Sequence, residues 1–330
     1  MKYKFLLWMA LSSGFLSAQA LAASPGDSNY VVNTQAHVGN YNLFLQNDFK
    51  NNGGVHIHGK AFVGGDWTTN VNQPGADALT GSNSVDAVTV LGELKGSGSL
   101  TINNGNNVVY GTKAAGFGLT LNNTGGKIGT ATQISDSSYN NQFSTIWNQA
   151  VNDSQHFKTL ASTGAVSEVQ EGKKGIFQND NTLDLNVFNI NSSSFISNGN
   201  GEIEFLTTPS APVVINVGGT GIINIGAKPL GNFINASGAN VLWNFYEATQ
   251  INFTARWVGS ILAPNAHINY SGGDIDGSIV AMSLEGNSQL HNVLYTYDPP
   301  QPPTEEVPAP AGIFLIGLGL LIMARRKFSK

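Results

Sequence analysis

The stretch GSILAPNA at residues 259–266 is followed by the related stretch GSIVA at residues 277–281, so the phrase returns after 18 positions. The repeats of stacked β-solenoids begin at about 20 residues. Within each phrase the side chains alternate between two strand faces, which places one Ile and one Ala of each on the same face. The two phrases predict consecutive coils with inward aliphatic ladders and a Gly at each corner. The predicted inward residues are Ile261, Ala263, Ile279 and Ala281.

Further short apolar runs, bounded by Gly, Asn and Ser, follow one another along most of the chain, and they predict β-strands. The fold class is therefore all-β, either a parallel β-solenoid or, as the alternative, an antiparallel β-sandwich. Asn-Gly, Gly-Gly and Asn-Asn pairs between the runs favour the solenoid, because its tight corners use residues that accept positive φ. The runs lie at 87–91, 100–102, 108–110, 119–121, 183–190, 203–206, 213–217, 222–225, 241–245, 251–253, 260–263, 267–270 and 278–282.

One segment departs from the strand pattern. Between about residues 142 and 161 the apolar residues recur at spacings of three and four. This period predicts one amphipathic helix that lays its apolar stripe on a sheet, with Gly164 as a stop signal. The stripe consists of Phe143, Ile146, Trp147, Ala150, Val151, Phe157 and Ala161.

Composition excludes several classes of protein. The 330 residues include 39 Gly and no Cys, so disulfides, thiol nucleophiles and cysteine-ligated zinc are excluded, and packing must hold the fold together. Six of the 16 Lys and Arg lie in the two terminal segments, residues 1–22 and 311–330. The body of the chain between them, residues 23–310, therefore holds 10 Lys and Arg against all 21 Asp and Glu, a net charge of −11. A body this acidic repels phosphate backbones, so no nucleic acid partner is expected.

Residues 1–22 have the layout of a secretory signal peptide. Lys2 and Lys4 precede an apolar stretch, and Ala20 and Ala22 supply the small residues of a cleavage site. We expect signal peptidase to cut after Ala22, so that the body at 23–297 is exported through the Sec pathway.

The end of the chain predicts attachment to a membrane. A Pro-rich linker at 298–310 precedes an apolar run at 311–324 and a basic tail at 325–330. At ~1.5 Å per residue the run spans roughly 21 Å, short of the ~30 Å hydrocarbon core, so it predicts a short transmembrane helix with a cytoplasmic basic tail. The linker is predicted to be a stiff, extended spacer.

This tail resembles the PEP-CTERM sorting signal of Gram-negative bacteria, which an exosortase recognises. The likeness rests on Val307, Pro308, Pro310, Arg325 and Arg326. It departs at Ala309, where the family usually carries Glu. The resemblance implies transient anchoring in the inner membrane, followed by transfer to the cell surface or extracellular matrix. A C-terminal anchor that is never cut is the alternative.

The body resembles the choice-of-anchor A family, bacterial surface proteins with an adhesive domain. The likeness spans about residues 31–297 and is weak between about 68 and 138, which is interpreted as a variable insertion. The Gly-Ser-Ile phrases are also similar to coil motifs of ice-binding-like β-solenoids, which lay a long helix along the solenoid. The matching segments are residues 39–66, 242–245, 259–266, 276–281 and 290–292.

Two pairs of residues are candidate metal ligands. His56 and His58 share a strand face but have no evident third ligand, so a solvated face is favoured. Asp274 and Asp276 follow a Gly pair and could hold Ca²⁺, but calcium needs six or more oxygens, so an ordinary turn is favoured. No other cofactor is expected.

Catalytic constellations are not evident. His267 and His291 have no Ser or carboxylate at triad spacing, which favours structural roles. A polysaccharide lyase or hydrolase needs a carboxylate pair or a base beside cations, and Arg256 is the only Arg before the tail. We therefore expect no catalytic residues.

Together these observations predict a non-catalytic, adhesin-like protein whose solenoid presents Asn, Thr and Ser to exopolysaccharide or surface glycans in a biofilm. Each neutral hydrogen bond contributes about 1 kcal/mol net, so affinity would come from repetition. An ice-binding or other regular-surface binding protein is one alternative, and the polysaccharide lyase or hydrolase is another.

Overall fold

The computed structural model describes residues 24–27, 30–167, 174–192, 201–236 and 238–297. The chain divides into one unit at Met1–Asp298 and a second at Pro299–Lys330, and every described residue belongs to the first. The predicted signal peptide, linker, apolar run and basic tail lie outside the described residues. Within those ranges no helix combines the length and apolarity needed to cross a bilayer.

The described chain is built mainly from short strands. The first eleven strands are β1 Leu43–Leu45, β2 Phe49–Asn51, β3 His56–Ile57, β4 Ala61–Val63, β5 Trp67–Thr69, β6 Asn72–Gly75, β7 Asp86–Lys95, β8 Ser99–Ile102, β9 Asn107–Lys113, β10 Gly118–Leu121 and β11 Ala131–Gln133. After helix α1 (Ser138–Thr159) come β12 Lys174–Phe177, β13 Asn186–Asn191, β14 Glu202–Phe205, β15 Val213–Gly218, β16 Gly221–Ile225, β17 Lys228–Pro229, the short helix α2 Asn232–Asn235, β18 Val241–Asn244, β19 Ala248–Phe253, β20 Trp257–Val258, β21 Ser260–Tyr270, β22 Ile275–Asp276, β23 Ile279–Gly286 and β24 Gln289–His291.

Every pairing between two of these strands is parallel. Strands of successive coils lie side by side in three sheets. The prediction of a parallel β-solenoid is confirmed, and the antiparallel sandwich is wrong.

The coils are not stacked in chain order. β1 lies between β4 and β23. From β1 the stack runs one way through β4, β7, β9 and β11, and the other way through β23, β21, β18, β15 and β13. The chain therefore starts in the middle of the stack, and α1 carries it from one end to the other. Residues 68–133, where the family likeness is weak, supply strands β5 to β11 of the same stack.

Asn42 joins the two parts of the stack, which meet where β1 pairs with β23. Its buried side chain donates to the carbonyl oxygens of Gly277 and His291, both at 2.9 Å, and accepts a hydrogen bond from the Gly59 amide at 3.1 Å. Because backbone groups buried without partners are costly, one amide that satisfies three of them stabilises this junction. The bond from Asn42 to Gly277 spans 235 positions of sequence.

The strands form three sides. The first contains β1, β4, β11, β13, β15, β18 and the first halves of β7, β9, β21 and β23, and α1 lies over it. The second, which we call the open side, contains β2, β5, β16, β19 and the second halves of those four long strands. The third contains β3, β6, β8, β10, β20, β22 and β24. A small sheet of β12, β14 and β17 completes the described strands.

The interior consists of the predicted apolar ladders. Ile261 pairs with Ile279 and Ala263 with Ala281, and all four are completely buried. Each fully buried Ile contributes roughly 1.5–3 kcal/mol, so repetition of such rungs stabilises a fold without disulfides.

The two Gly of the repeated phrase have different roles. Gly259 has a φ of +104°, as predicted for a corner. Gly277 has no positive φ; a Cβ there would lie 2.3 Å from the carbonyl oxygen of Gly259. Gly277 is therefore required because the neighbouring coil approaches closely, and not because of its own φ.

Helix α1 begins and ends earlier than predicted. It spans Ser138–Thr159 instead of about 142–161, and it begins where the Asp136 carboxylate accepts the Ser138 amide hydrogen at 2.8 Å. Phe143, Ala150 and Phe157 are buried as expected, whereas Ala161 lies beyond the helix and is exposed. Ile146, Trp147 and Val151 are half-buried.

The helix packs on one ladder of outward side chains. Phe143 stacks on Phe44 with ring centroids 4.8 Å apart and meets Phe62 edge-on at 5.1 Å. Val280 and Leu262 continue the same ladder on the next two coils. At ~1.5 Å per residue the 22 residues of α1 cover roughly 33 Å, or about seven strand spacings of ~4.8 Å.

Further along that ladder, amides replace the apolar residues. Asn189, Asn216 and Asn244 pair in register. Asn244 donates to Asn216, and Asn216 donates to Asn189, each with an N···O distance of 2.8 Å. Asn216 also donates to the carbonyl oxygen of Phe157 at 2.7 Å, and Asn244 to that of Ser154 at 2.8 Å. The second half of α1 is thus held by hydrogen bonds and the first half by aromatic packing.

A buried carboxylate also fixes α1. Asp153 is completely buried and accepts hydrogen bonds from the Tyr30 hydroxyl at 2.7 Å and the Asn33 amide at 3.1 Å. The Nε2 atom of His37, also completely buried, lies 2.7 Å from the same carboxylate. The sequence pattern missed this group, because a charged residue on a helix is normally assigned to solvent.

Candidate functional site

The open side carries a regular array of polar side chains. Alternation along each strand turns every second residue outward, and the parallel register places outward residues of successive coils side by side. The open side is the candidate binding surface, since α1 lies over the first side instead. One of its rows contains Ile222, Gln250, His267 and Ser283, and the next contains Asn224, Asn252, Asn269 and Glu285.

Three amides form the centre of this surface, and we call Asn224, Asn252 and Asn269 the amide row. Asn252 donates from Nδ2 to the Oδ1 atom of Asn224 at 2.6 Å, and Asn269 donates in the same way to Asn252 at 2.9 Å. Gln250 donates to the Oδ1 atom of Asn252 at 2.9 Å, which fills its two lone pairs. Each amide is therefore oriented by its neighbours.

This orientation leaves donors pointing outward. A primary amide has two N–H groups, and Asn252 and Asn269 each use one of them along the row. One N–H of each remains for an acceptor outside the protein, at a spacing of about 4.8 Å between neighbouring coils. The row therefore matches a ligand that offers hydroxyl or water oxygens at regular intervals.

His267 fixes the edge of the row. Its Nδ1 atom lies 2.6 Å from the Ser283 hydroxyl oxygen and its Nε2 atom 2.9 Å from Oδ1 of Asn269. The ring thus bridges two coils. The sequence spacing did not reveal Ser283 as a partner of His267, and the structural role of His267 stays a prediction.

The row continues into charged side chains. Glu285 follows Asn269 in register and forms an ion pair with Lys50 at 3.0 Å. Hydrogen bonds from Lys50 and Asn52 lower the pKa of the Glu285 carboxyl. A shallow groove of about 200 Å³ lies beside Glu285, lined by Asn52, Asn269, Tyr270, Ser271, Gly286 and Asn287.

Asp276 is engaged by two neighbouring side chains. Its carboxylate accepts hydrogen bonds from Arg256 and from Nδ1 of His291. Burial alone would raise the pKa of Asp276, but the bonds from Arg256 and His291 outweigh it and lower that pKa. Asp274 joins no group of three candidate metal ligands within the described ranges. The calcium turn at these two residues stays a prediction.

His56 and His58 have a third potential ligand. Their rings stack with centroids 4.1 Å apart, and Asp77 from the next coil lies against both. Burial, together with the nearby His58 and His291, lowers the pKa of His56 and outweighs the opposite effect of Asp77. Asp77 comes 19 positions after His58, about one coil length, so a coil register could have identified it.

The remaining predicted site residues, Ala20, Ala22 and the sorting motif at 307–310 with Arg325 and Arg326, lie outside the described residues.

Several solved structures are similar to this chain. An ice-binding protein of the Antarctic ascomycete Antarctomyces psychrotrophicus is 13% identical, over 81% of this chain and 100% of its own, with a TM-score of 0.34. One from an Antarctic biological consortium is 16% identical, over 78% and 88%, with a TM-score of 0.38. Ice-binding protein 1 of Shewanella frigidimarina is 10% identical, over 82% and 99%, with a TM-score of 0.34. At TM-scores below 0.5 these likenesses do not indicate what this chain binds.

No curated protein matches the chain. A family model of ice-binding-like adhesive domains matches residues 34–292, from the 3₁₀ turn before β1 to the residue after β24. The match covers all of the coils described above. The chain therefore belongs to the family of ice-binding-like adhesive domains.

Proposed function

We propose that this protein is a non-catalytic adhesin that binds hydroxyl-rich polysaccharide, such as exopolysaccharide or surface glycans, through the amide row. The observation that carries the proposal is the set of oriented amide N–H groups on neighbouring coils, formed by Asn224, Asn252 and Asn269. Sugar hydroxyls can accept from such donors along the length of a chain. The family match to adhesive domains supports this assignment.

Affinity would come from many weak bonds. Each neutral hydrogen bond contributes about 1 kcal/mol net, so three amides together contribute about 3 kcal/mol, which corresponds to about 100-fold in affinity. The shallow groove beside Glu285 suits a chain lying across the surface better than a small molecule enclosed in a pocket. An extended polymer that contacts several coils is therefore the favoured ligand.

Ice is the second candidate, and the family description supports it. An ice lattice needs a regular array of groups that do not hold strong hydration shells of their own. Glu285 and Lys50 continue the amide row as an exposed ion pair, and such charges retain their water. The charged end of the row therefore favours polysaccharide over ice.

Catalysis is the disfavoured alternative. Three carboxylates of the open and third sides are engaged by cations: Glu285 by Lys50, Asp66 by Lys95 and Asp276 by Arg256. A glycosidase needs one carboxyl that can give up a proton beside a second that stays ionised. Paired carboxylates with lowered pKa values are poor proton donors, which supports binding without bond cleavage.

The binding test compares two variants. Replacing all three amides, as Asn224→Ala, Asn252→Ala and Asn269→Ala together, is expected to weaken binding to immobilised exopolysaccharide by up to about 100-fold. The matched control is Asn72→Ala, which removes an exposed amide of the third side that accepts a hydrogen bond from Ser99. Equal binding by the triple variant and the control would count against the amide row.

The same protein samples distinguish the alternatives. Thermal hysteresis that disappears in the triple variant would assign the amide row to ice. Release of reducing or unsaturated sugar ends would show that the protein is a hydrolase or lyase. Polysaccharide binding with neither signal is the expected result.

Localisation is part of the proposal. We infer that the chain is a choice-of-anchor A protein exported by the Sec pathway and processed by signal peptidase. Its PEP-CTERM-like tail would then hold it in the inner membrane until an exosortase-type enzyme transfers it to the cell surface or matrix. Fractionation tests this: a Pro308→Ala, Pro310→Ala double change should retain the larger, unprocessed form in the membrane. If the size and location of the protein are unchanged, the tail is instead a membrane anchor that is never cut.

A further inference from the structure

The cluster of His56, His58 and Asp77 has the geometry of a metal site. His56 begins β3 and His58 follows it, so the alternation of the strand puts both rings on the outer face of the third side. β3 pairs with β6 through Ile57 and Gly75, and the chain then brings Asp77 back over the two rings. The ligand atoms therefore come from two neighbouring coils.

The distances fit one small cation. The candidate ligand atoms of the three side chains all lie within 4.8 Å of one another. Nε2 of His56 is 2.9 Å from Oδ1 of Asp77, and Nδ1 of His58 is 3.4 Å from Oδ2. Ligands at ~2.0–2.2 Å from a tetrahedral Zn²⁺ are about 3.4 Å apart, close to the two distances between Asp77 and the histidines.

Two of these atoms lack a well-directed partner. Nε2 of His56 and Oδ1 of Asp77 are both shielded from solvent, and neither makes a hydrogen bond of good geometry although they are 2.9 Å apart. Unsatisfied buried polar atoms are costly. A cation shared by the two atoms would satisfy both of them.

Gln289 sets the orientation and tautomer of the His58 ring. Its Oε1 atom lies 3.3 Å from Nε2 of His58 and can accept a hydrogen bond from it. A proton on Nε2 leaves Nδ1, the atom that faces Asp77, with a free lone pair. Metal-ligating histidines typically donate their other ring N–H to such an acceptor, and loss of that acceptor costs about 10–100-fold in affinity.

We propose that His56, His58 and Asp77 bind one Zn²⁺ ion, with water at the open position, and that the ion links two coils of the solenoid. Two imidazole nitrogens and one carboxylate oxygen suit Zn²⁺, whereas Ca²⁺ prefers oxygen ligands alone. The site is on the third side, away from the amide row, so it does not depend on the proposed ligand. In a chain without Cys, the ion would act as the cross-link between coils.

Calorimetry on the full chain, carrying no histidine tag, tests the proposal. ZnCl₂ should bind with one equivalent and raise the melting temperature, while CaCl₂ should do neither at these residues. Asp77→Asn and His56→Gln should each weaken Zn²⁺ binding at least about 10-fold, because each removes one of three ligands. Gln289→Leu should weaken it by about 10–100-fold with the ligands intact.

The control is His267→Gln, which alters a half-buried strand histidine of the open side. It should leave Zn²⁺ affinity unchanged. Circular dichroism checks that each variant is folded, and Gln289→Leu decides the case if a ligand variant is not. If the unaltered chain does not bind Zn²⁺, the proposal is overturned. An affinity that falls no further in the cluster variants than in His267→Gln would overturn it too.

Discussion

Asn244→Ala should destabilise the protein strongly, because Asn244 joins α1 to the coils. Its side chain is completely buried. It donates to the Ser154 carbonyl oxygen and to Asn216 Oδ1, both at 2.8 Å, and accepts from the Ser154 hydroxyl at 2.6 Å. The alanine removes all three bonds in one change.

The expected cost is about 3 kcal/mol. Each of the three bonds contributes about 1 kcal/mol net, and the Asn216 oxygen that loses its buried donor adds to the loss. For a domain of 150–250 residues, 1 kcal/mol shifts the melting temperature by about 2–4 °C, so a fall of roughly 6–12 °C is expected. Any cavity left by the amide would increase the effect.

Guanidinium and thermal unfolding, followed by far-UV circular dichroism, measure this cost. The matched control is Asn224→Ala, which removes the same kind of side chain and a similar amide-to-amide bond from an exposed position. The control should change the free energy of unfolding by less than about 0.5 kcal/mol. If both variants lose the same small amount, the buried Asn ladder does not hold α1, and the reasoning is refuted.

Two further predictions concern the coils. Gly277→Ala should lower the free energy of unfolding by about 2 kcal/mol, because the added Cβ would lie 2.3 Å from the Gly259 carbonyl oxygen. Gly54→Ala is the control: its Cβ would have no neighbouring atom within 4 Å, so this change should be neutral or slightly stabilising. Urea unfolding compares the two variants. Asp276 has a lowered pKa in the folded protein, so its contribution to stability is complete above its unfolded pKa of about 4 and is lost as pH falls through the folded value. Melting temperatures should therefore drop less on acidification in Asp276→Asn than in the unaltered chain, and parallel curves would contradict this.

Local spacing predicted much of the fold. The Gly-Ser-Ile phrases stack as expected, with Ile261 above Ile279, and the helix period gave α1 to within four residues at either end. Both signals depend on which way neighbouring side chains point, and that follows from the dihedral angles of each element alone.

The candidate sites were harder to predict. Alternation showed that His56 and His58 face outward, but it did not show that Asp77 lies against them. Similarly, Asn224, Asn252 and Asn269 each appear in the sequence as one polar residue among many. Their row exists because three coils align in register, and a single strand does not reveal its neighbours' alignment.

The sequence by itself determined the coil length, the inward ladders, the helix and the need for stability without disulfides. Only the tertiary structure decided the order of the coils, in which β1 meets β23 in the middle and α1 returns the chain to the far end. The reason is physical: every strand edge offers the same backbone hydrogen bonds, so local sequence does not select which edge pairs with which. Packing of α1 and side chains such as Asn42, across 235 positions of sequence, makes that selection.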